Sequence, residues 1–404
     1  MLAGVFLALT YLNLILVRNL PITDLWYFGL WALTASIGHW ALNQYLPRRD
    51  SFLYPVLMLL TGWGIVTILR VAPIFAGKQT GWLLLSSFAM FWMIASTKTL
   101  RWLSDYRYTW LIGGLLLLLA TILFGQNPSG GGPRLWLGIS DFYFQPSELL
   151  KLLLVAFFAS YLSNHSALLD LSDGGARRMA LRFFGPLLLM WGVCMVVLLW
   201  QRDLGTAALF FIVFIAMIYL ASGRASYVLG GALLLVAAGV VAYFAIDLVR
   251  LRINIWLNPW SDTQGQSFQV VQSLMAFAAG GVFGQGIGQG SPTYVPVVHS
   301  DFIFAAIGEE WGLIGSLAVV MSFALLVMRA FRLAAAMQGR MFRVYLAAGI
   351  GITFAAQSLM IMGGVLKIIP LTGVTLPFLS YGGSSLLISF VMVGLLLFLS
   401  NERQ

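Results

Sequence analysis

Apolar residues fill this chain in blocks of about twenty, and polar residues collect in the gaps between them. Twelve blocks stand near residues 1–17, 24–46, 52–74, 80–97, 109–125, 147–163, 181–200, 204–222, 226–246, 302–329, 344–365 and 379–399. Most are long enough to cross a hydrocarbon core of roughly 30 Å as helices. Their Leu and Ala content suits helices, whereas barrel strands would show alternating segments of about ten residues. The pattern predicts an all-α polytopic membrane protein. The first block has no basic start and no small-residue cleavage site, so it reads as a span and not as a signal peptide.

Three segments break the pattern. Residues 126–146 and 247–301 are long and mixed, and "LKIIPLTGVTLPFLS" (366–380) is too apolar for a solvated loop. Pro370, Gly373 and Pro377 also make it too irregular for a span. Irregular backbone at membrane depth is tolerated only against protein or a watery cavity.

Composition sharpens the class. Hydrophobic residues make up 60% of the 404 positions and charged residues 9%, against about one-quarter charged in soluble domains. The net charge of +9 does not indicate a nucleic-acid partner, because the basic residues are scattered through short inter-span loops. With the N-terminus inside, fourteen of the 23 Lys and Arg fall in inside loops, Arg48, Arg177 and Arg403 among them, and nine of the fourteen carboxylates fall outside. That bias predicts both termini in the cytoplasm, and it puts all three irregular segments on the outer face. Cys194 is the one cysteine, which leaves no disulfide framework and no cysteine metal site. His39, His165 and His299 have no metal-ligand spacing.

In so uncharged a chain, "HSDFIFAAIGEEWG" (299–312) is conspicuous for Asp301, Glu309 and Glu310. Asp301 begins a helix, where the dipole favours its charge. Glu309 lies two turns deeper and about 80° round, and Glu310 is expected to point away. Glu148 and Lys151, three apart, share a helix face; the pair reads either as a tie between spans or as part of a site. Asp203, beside Arg202 at a tight turn, reads equally as a helix cap. The glycine-rich "GGVFGQGIGQG" (280–290) lacks the dinucleotide spacing and reads as a flexible loop near a membrane-bound ligand.

Five motifs, in this order, resemble the SEDS family (shape, elongation, division and sporulation): "GPRLWLGISDFYFQPSELLKL", "RDLGTA", "NPWSDTQGQSFQVVQSLMAFAAGGVFGQGIGQG", "HSDFIFAAIGEEWGLIG" and "PLTGVTLPFLSYGGSS". The resemblance runs from about residue 52 to the C-terminus. It implies a bundle of ten transmembrane helices with long extracytoplasmic loops, in a bacterial cytoplasmic membrane. It also implies a peptidoglycan glycosyltransferase that polymerises lipid II on the outer face, in cell elongation or division, with a class B penicillin-binding protein (the transpeptidase) as partner. Residues 1–46 then form an extra N-terminal transmembrane hairpin, and residues 47–404 the polymerase domain. Three details depart from the family pattern. Arg134 is displaced by one from its usual place beside Trp136, Arg202 replaces a proline, and the usual Asn-bearing stretch is here "IMGGVLKIIP".

The family pattern makes Asp301 the essential carboxylate. Glycan polymerisation joins a sugar hydroxyl to an anomeric carbon as a lipid diphosphate leaves, so Asp301 is expected to be the general base to the acceptor 4-hydroxyl. Arg134, Lys151, Lys367 and Arg202 are candidates to neutralise diphosphate, with Glu148 orienting Lys151. The matched motifs add Trp136, Asp203, His299, Glu309 and Ser380 to the expected substrate-binding set. The leaving group needs cations or a metal ion, so a divalent cation (Mg or Mn) is a candidate cofactor, with Asp301 as its candidate ligand. Two other readings share the resemblance: a lipid II flippase or other transporter, and a non-enzymatic activator of the penicillin-binding protein.

Overall fold

The structure is a computed structural model that describes residues 2–18, 21–96, 98–128, 133–139, 142–165, 176–337 and 339–402. Arg403, and the side chains of His165, Arg177, Arg178 and Arg182, lie outside the described residues. In chain order the helices are α1 (Leu2–Arg18), α2 (Leu25–Tyr45), α3 (Leu53–Val71), α4 (Pro73–Ala95), α5 (Thr99–Asp105), α6 (Arg107–Phe124) and α7 (Pro146–His165). There follow α8 (Ala176–Trp200), α9 (Leu204–Ser222), α10 (Ala225–Ala245), α11 (Asp247–Leu257), α12 (Phe268–Gly280), α13 (Ile303–Ala336), α14 (Met341–Val365) and α15 (Gly383–Asn401). An antiparallel hairpin, β1 (Leu137–Ile139) and β2 (Phe142–Phe144), precedes α7.

All twelve apolar blocks are helices: α1–α4, α6–α10 and α13–α15. Eight described helices are long and apolar enough to cross a membrane, or nine if α4 and α5, bent by 84°, form one broken span. The count is below twelve partly because α1 and the described apolar part of α8, Gly185–Trp200, are too short. The two long mixed segments are not plain loops. Residues 247–301 carry α11 and α12, and 126–146 carries the β-hairpin, which a Gln126–Trp136 bridge continues.

Helices α3, α7, α14 and α15 form the centre, each at least 78% buried, while α10 is only 6% buried. Between spans, association rests on close packing and hydrogen bonds and not on escape from water. Gly62 on α3 shows the packing: an added Cβ there would strike Leu7 of α1 and Trp31 of α2. Trp31 Nε1 in turn donates to Met58 O at 2.9 Å. In this way α1 and α2 seat directly on the central helices.

Local chemistry sets the helix ends that position the site. Pro146 opens α7 with Glu148 in the first turn, where a missing N–H and a negative charge both suit a helix N-terminus. Asp203 caps α9 through Thr206 N–H at 3.2 Å, and Gly223 closes it in the left-handed conformation.

The long α13 hides a break. Gly312 has φ 66° and ψ −158°, which only glycine tolerates. Leu313 and Ile314 N–H donate to the carbonyls of Gly281 and Val282, and the carbonyls of Glu309 and Glu310 accept from Gln285 and Gly286 N–H. The loop after α12 thus satisfies the backbone groups that the break releases. This corrects the flexible-loop expectation for residues 280–290: the glycines let the loop press into the helix. An added Cβ on Gly280 or Gly284 would collide with the carbonyl of Gly308 or Glu310.

Candidate functional site

Asp301 lies in the turn ahead of α13 and keeps part of its surface open. Ser300 Oγ donates to its Oδ1 at 3.1 Å. Burial raises its pKa above the usual carboxylate range, and the Ser300 hydrogen bond and the Arg252 charge pull it partly back. Arg252 reaches in from α11, donates to Thr372 O at 3.1 Å, and faces the charges of both Asp301 and Asp203. Gly373, exposed at φ 71°, separates the two groups. A Cβ built there would sit 3.4 Å from Arg252 Nη2 and 3.9 Å from Asp301 Oδ2. A cavity of about 190 Å³ opens at this point, lined by Asp301, Arg252, Lys367, Trp256, Gln266 and Gln269 among others. Trp256 Nε1 holds the carbonyl of Lys367 at 3.1 Å, which ties α11 to the irregular segment after α14.

Asp203 adjoins this centre. It accepts from Ser147 Oγ at 3.5 Å, and burial raises its pKa above the usual range. Beyond it, Lys151 Nζ donates to Glu148 Oε2 at 2.5 Å and to Gln357 Oε1 at 2.8 Å. Gln357 Nε2 then donates to Thr375 O at 2.8 Å. Lys151 and Glu148 are buried, at 3% and 8% exposure. Their charges are spent on one another and on anchoring the 366–382 segment.

The other expected residues divide by location. Lys367, with φ 60°, lines the Asp301 cavity. His299 stacks on Phe75 with ring centroids 4.6 Å apart, and burial lowers its pKa. Ser380 is buried, donates to Ser300 O at 2.5 Å and accepts from Leu376 N–H at 3.0 Å. Both residues therefore brace the turn that carries Asp301. Trp136 pairs through its backbone with Gln126, and Arg134 is exposed beside it, outside the cavity lining. Arg202 is also exposed, and its φ of 60° is one that the family's proline cannot adopt. Glu309 is not brought to Asp301; its Oε1 accepts from Ser291 N–H at 2.6 Å. Glu310 is not brought to Asp301 either; it pairs with Arg70 at 3.0 Å and accepts from Gly288 N–H in the same region.

Arg252 is the site residue that the sequence reading missed. It stood among nine outer cations with nothing to rank it. The available signal was spacing: in "DLVRLRINIWL" Arg250 and Arg252 are two apart, so on a helix one can face out while the other faces in. Arg250 does turn out, to the carbonyls of Tyr243 and Phe244.

A helical membrane bundle in which a carboxylate and two cations line a cavity defines a polytopic membrane protein with a charged candidate site. The profile of the FtsW/RodA/SpoVE cell cycle protein family matches residues 50–404, and the chain belongs to that family, the SEDS proteins. Peptidoglycan glycosyltransferase RodA of Mycobacterium tuberculosis (strain H37Rv) is 37% identical over 393 residues, covering 94% of this chain and 84% of that protein. Probable peptidoglycan glycosyltransferase FtsW of Geobacter metallireducens is 32% identical over 372 residues, covering 89% and 96%. A chain from a structure described as "Structural coordination of polymerization and crosslinking by a peptidoglycan synthase complex" aligns with TM-score 0.72 and 28% identity, over 88% of this chain and 98% of that one. The rod shape determining protein RodA of Thermus thermophilus shares the fold, with TM-score 0.63 at 23% identity over 88% and 97%.

Proposed function

We propose that this chain polymerises lipid II into glycan strands at its Asp301 cavity, with Asp301 as general base. Membership of the enzyme class is plain from the family and its relatives: the chain is a peptidoglycan glycosyltransferase. The observation that carries the finer reading is the grouping of Asp301, Arg252 and Lys367 around one cavity. A base must reach the acceptor 4-hydroxyl, and cations must meet the charge that builds on the leaving diphosphate. Asp301 takes the hydroxyl proton, the oxygen attacks the anomeric carbon, and the glycosyl–phosphate bond breaks. Arg252 and Lys367 then hold the departing diphosphate. A carboxylate with a raised pKa is the better base near neutral pH.

Among the described residues no three His, Cys, Asp or Glu side chains form a metal-holding cluster. Asp301 and Asp203 also have the Arg252 guanidinium facing both. The described side chains around Asp301 do not by themselves make a cage for Mg or Mn. The cationic work is assigned to Arg252 and Lys367.

The site is proposed to face the extracytoplasmic side, as the basic-loop bias indicates. A class B penicillin-binding protein is the proposed partner. The neighbouring complex that couples polymerization to crosslinking supports this pairing. The test is purified full-length chain with its partner, given fluorescent lipid II and scored for glycan ladders. Ladders that need Asp301 are expected. Lipid II crossing a bilayer without any polymer would replace this reading with transport.

A further inference from the structure

Residues 1–46 precede the segment that the family profile matches, yet one of their side chains reaches the loop that packs into the break of α13. Arg18, the last residue of α1, donates through Nε to Gly288 O and through Nη2 to Gly290 O, the latter at 2.9 Å. Gly290 O also accepts from Arg70 Nη2 at 2.9 Å. The contact is apolar as well as polar. A Cβ on Gly288 would meet Leu14, the Arg18 stem and Val17, and Ile287 lies in a groove with Phe6, Leu9 and Leu16 of α1.

The loop held in this way is the one wedged into the α13 break. Four backbone hydrogen bonds join residues 281–286 to residues 309–314. Two carboxylates add to them, Glu309 on Ser291 N–H and Glu310 on Arg70. Residues 303–311 are therefore a half-helix with no continuous helical bonding to the rest of α13. Its tilt is set by the loop, and its first turn follows Asp301 directly. Charged ties of this kind are directional, so they fix position as well as contact.

We propose that Arg18 is a positioning residue for the polymerase reaction: by clamping Gly288 and Gly290 it fixes the loop in the α13 break and so holds the Asp301 half-helix in register. The N-terminal hairpin then has a task in this chain, as an intramolecular brace for the site. The proposal rests on the reading of Asp301 as general base.

The test uses the full chain with its partner, carrying Ile287→Cys as a half-buried reporter against α1; the native Cys194 is buried. Arg18→Met should raise the maleimide labelling rate at the reporter several-fold and lower polymerisation per folded molecule about tenfold, the scale of a small misplacement of a reacting group. Arg18→Lys should restore part of both, since an ammonium keeps the charge without the fork. Unchanged labelling overturns the clamp. Faster labelling with full turnover overturns the positioning role. Asp301→Ala, assayed alongside, keeps the two readings apart: if it retains activity, the base assignment fails, whatever the labelling at the reporter shows.

Discussion

Two charged regions flank the first half of α13, and they differ in what is left over. On one side, Arg70, Glu310, Glu309 and Arg18 close on the 285–291 loop, and each charge has a protein partner. On the other, Asp301 and Arg252 flank exposed Gly373 at a cavity, with no ion pair between them among the described residues. Ionisable groups in a membrane protein are functional candidates by default. These two regions show that the default needs a second condition. A saturated cluster secures backbone, while a cluster with open valence beside a cavity can take substrate. Lys151 and Glu148 resemble the first kind, although the motif that holds them suggested the second.

The largest expected effect separates the two sides directly. Asp301→Ala should lower glycan synthesis by about a thousandfold, within the range for loss of a general base, while the protein still folds. Wild-type ladders from that variant would remove Asp301 from the chemistry. Arg252→Gln should come next, at about a hundredfold, the loss seen when one electrostatic donor to a transition state is removed. It should also move the acid limb of the pH–rate profile upward. The Arg252 charge favours ionised Asp301, so without it the proton is held to higher pH. Normal turnover with an unmoved limb would place Arg252 in the supporting framework.

How much of this was legible in the sequence follows the range of each interaction. Helices depend on local hydropathy, so the twelve blocks could be found, and Asp203 carried its capping signal in "RDLGTA". The α13 break was hidden, because "EEWGLIG" is a continuous helical pattern and its splint lies about thirty residues earlier. The Arg70–Glu310 pair spans 240 positions, and no periodicity encodes it. Asp301 stood out with Glu309 and Glu310 as a clustered carboxylate, but only the resemblance ranked it above the other two. Arg252 needed the fold, because α11 sits inside what hydropathy shows as a loop.

The saturated kind of cluster makes its own prediction. Lys151→Met leaves Glu148 buried without its cation, and breaking a buried pair costs about 3–5 kcal/mol. Folded yield and the unfolding midpoint in detergent should both drop. Adding Glu148→Gln removes the stranded charge and should recover most of the loss. A double variant no more stable than the single one would mean that the pair is not a structural unit.

The smallest effect belongs to Ser300. Its hydroxyl donates to Asp301 Oδ1 at 3.1 Å, and its other contact, to Val297 O at 3.4 Å, is weak. The brace from Ser380 uses the Ser300 carbonyl, so it survives side-chain truncation. Ser300→Ala should therefore fold normally. The hydrogen bond stabilises the ionised carboxylate, so its loss raises the Asp301 pKa further. The base is active when deprotonated, so activity rises with pH through that pKa and the acid limb should shift upward. Below the limb the variant is slower than wild type; on the plateau it should stay within about threefold, because a less acidic carboxylate is also a slightly stronger base. Arg252→Gln should depress the plateau as well, since it removes the proposed contact to the leaving diphosphate. A pH profile of kcat/KM for both variants separates tuning of the base from binding of the leaving group. If the Ser300→Ala limb coincides with wild type, the group that titrates in the profile is not Asp301.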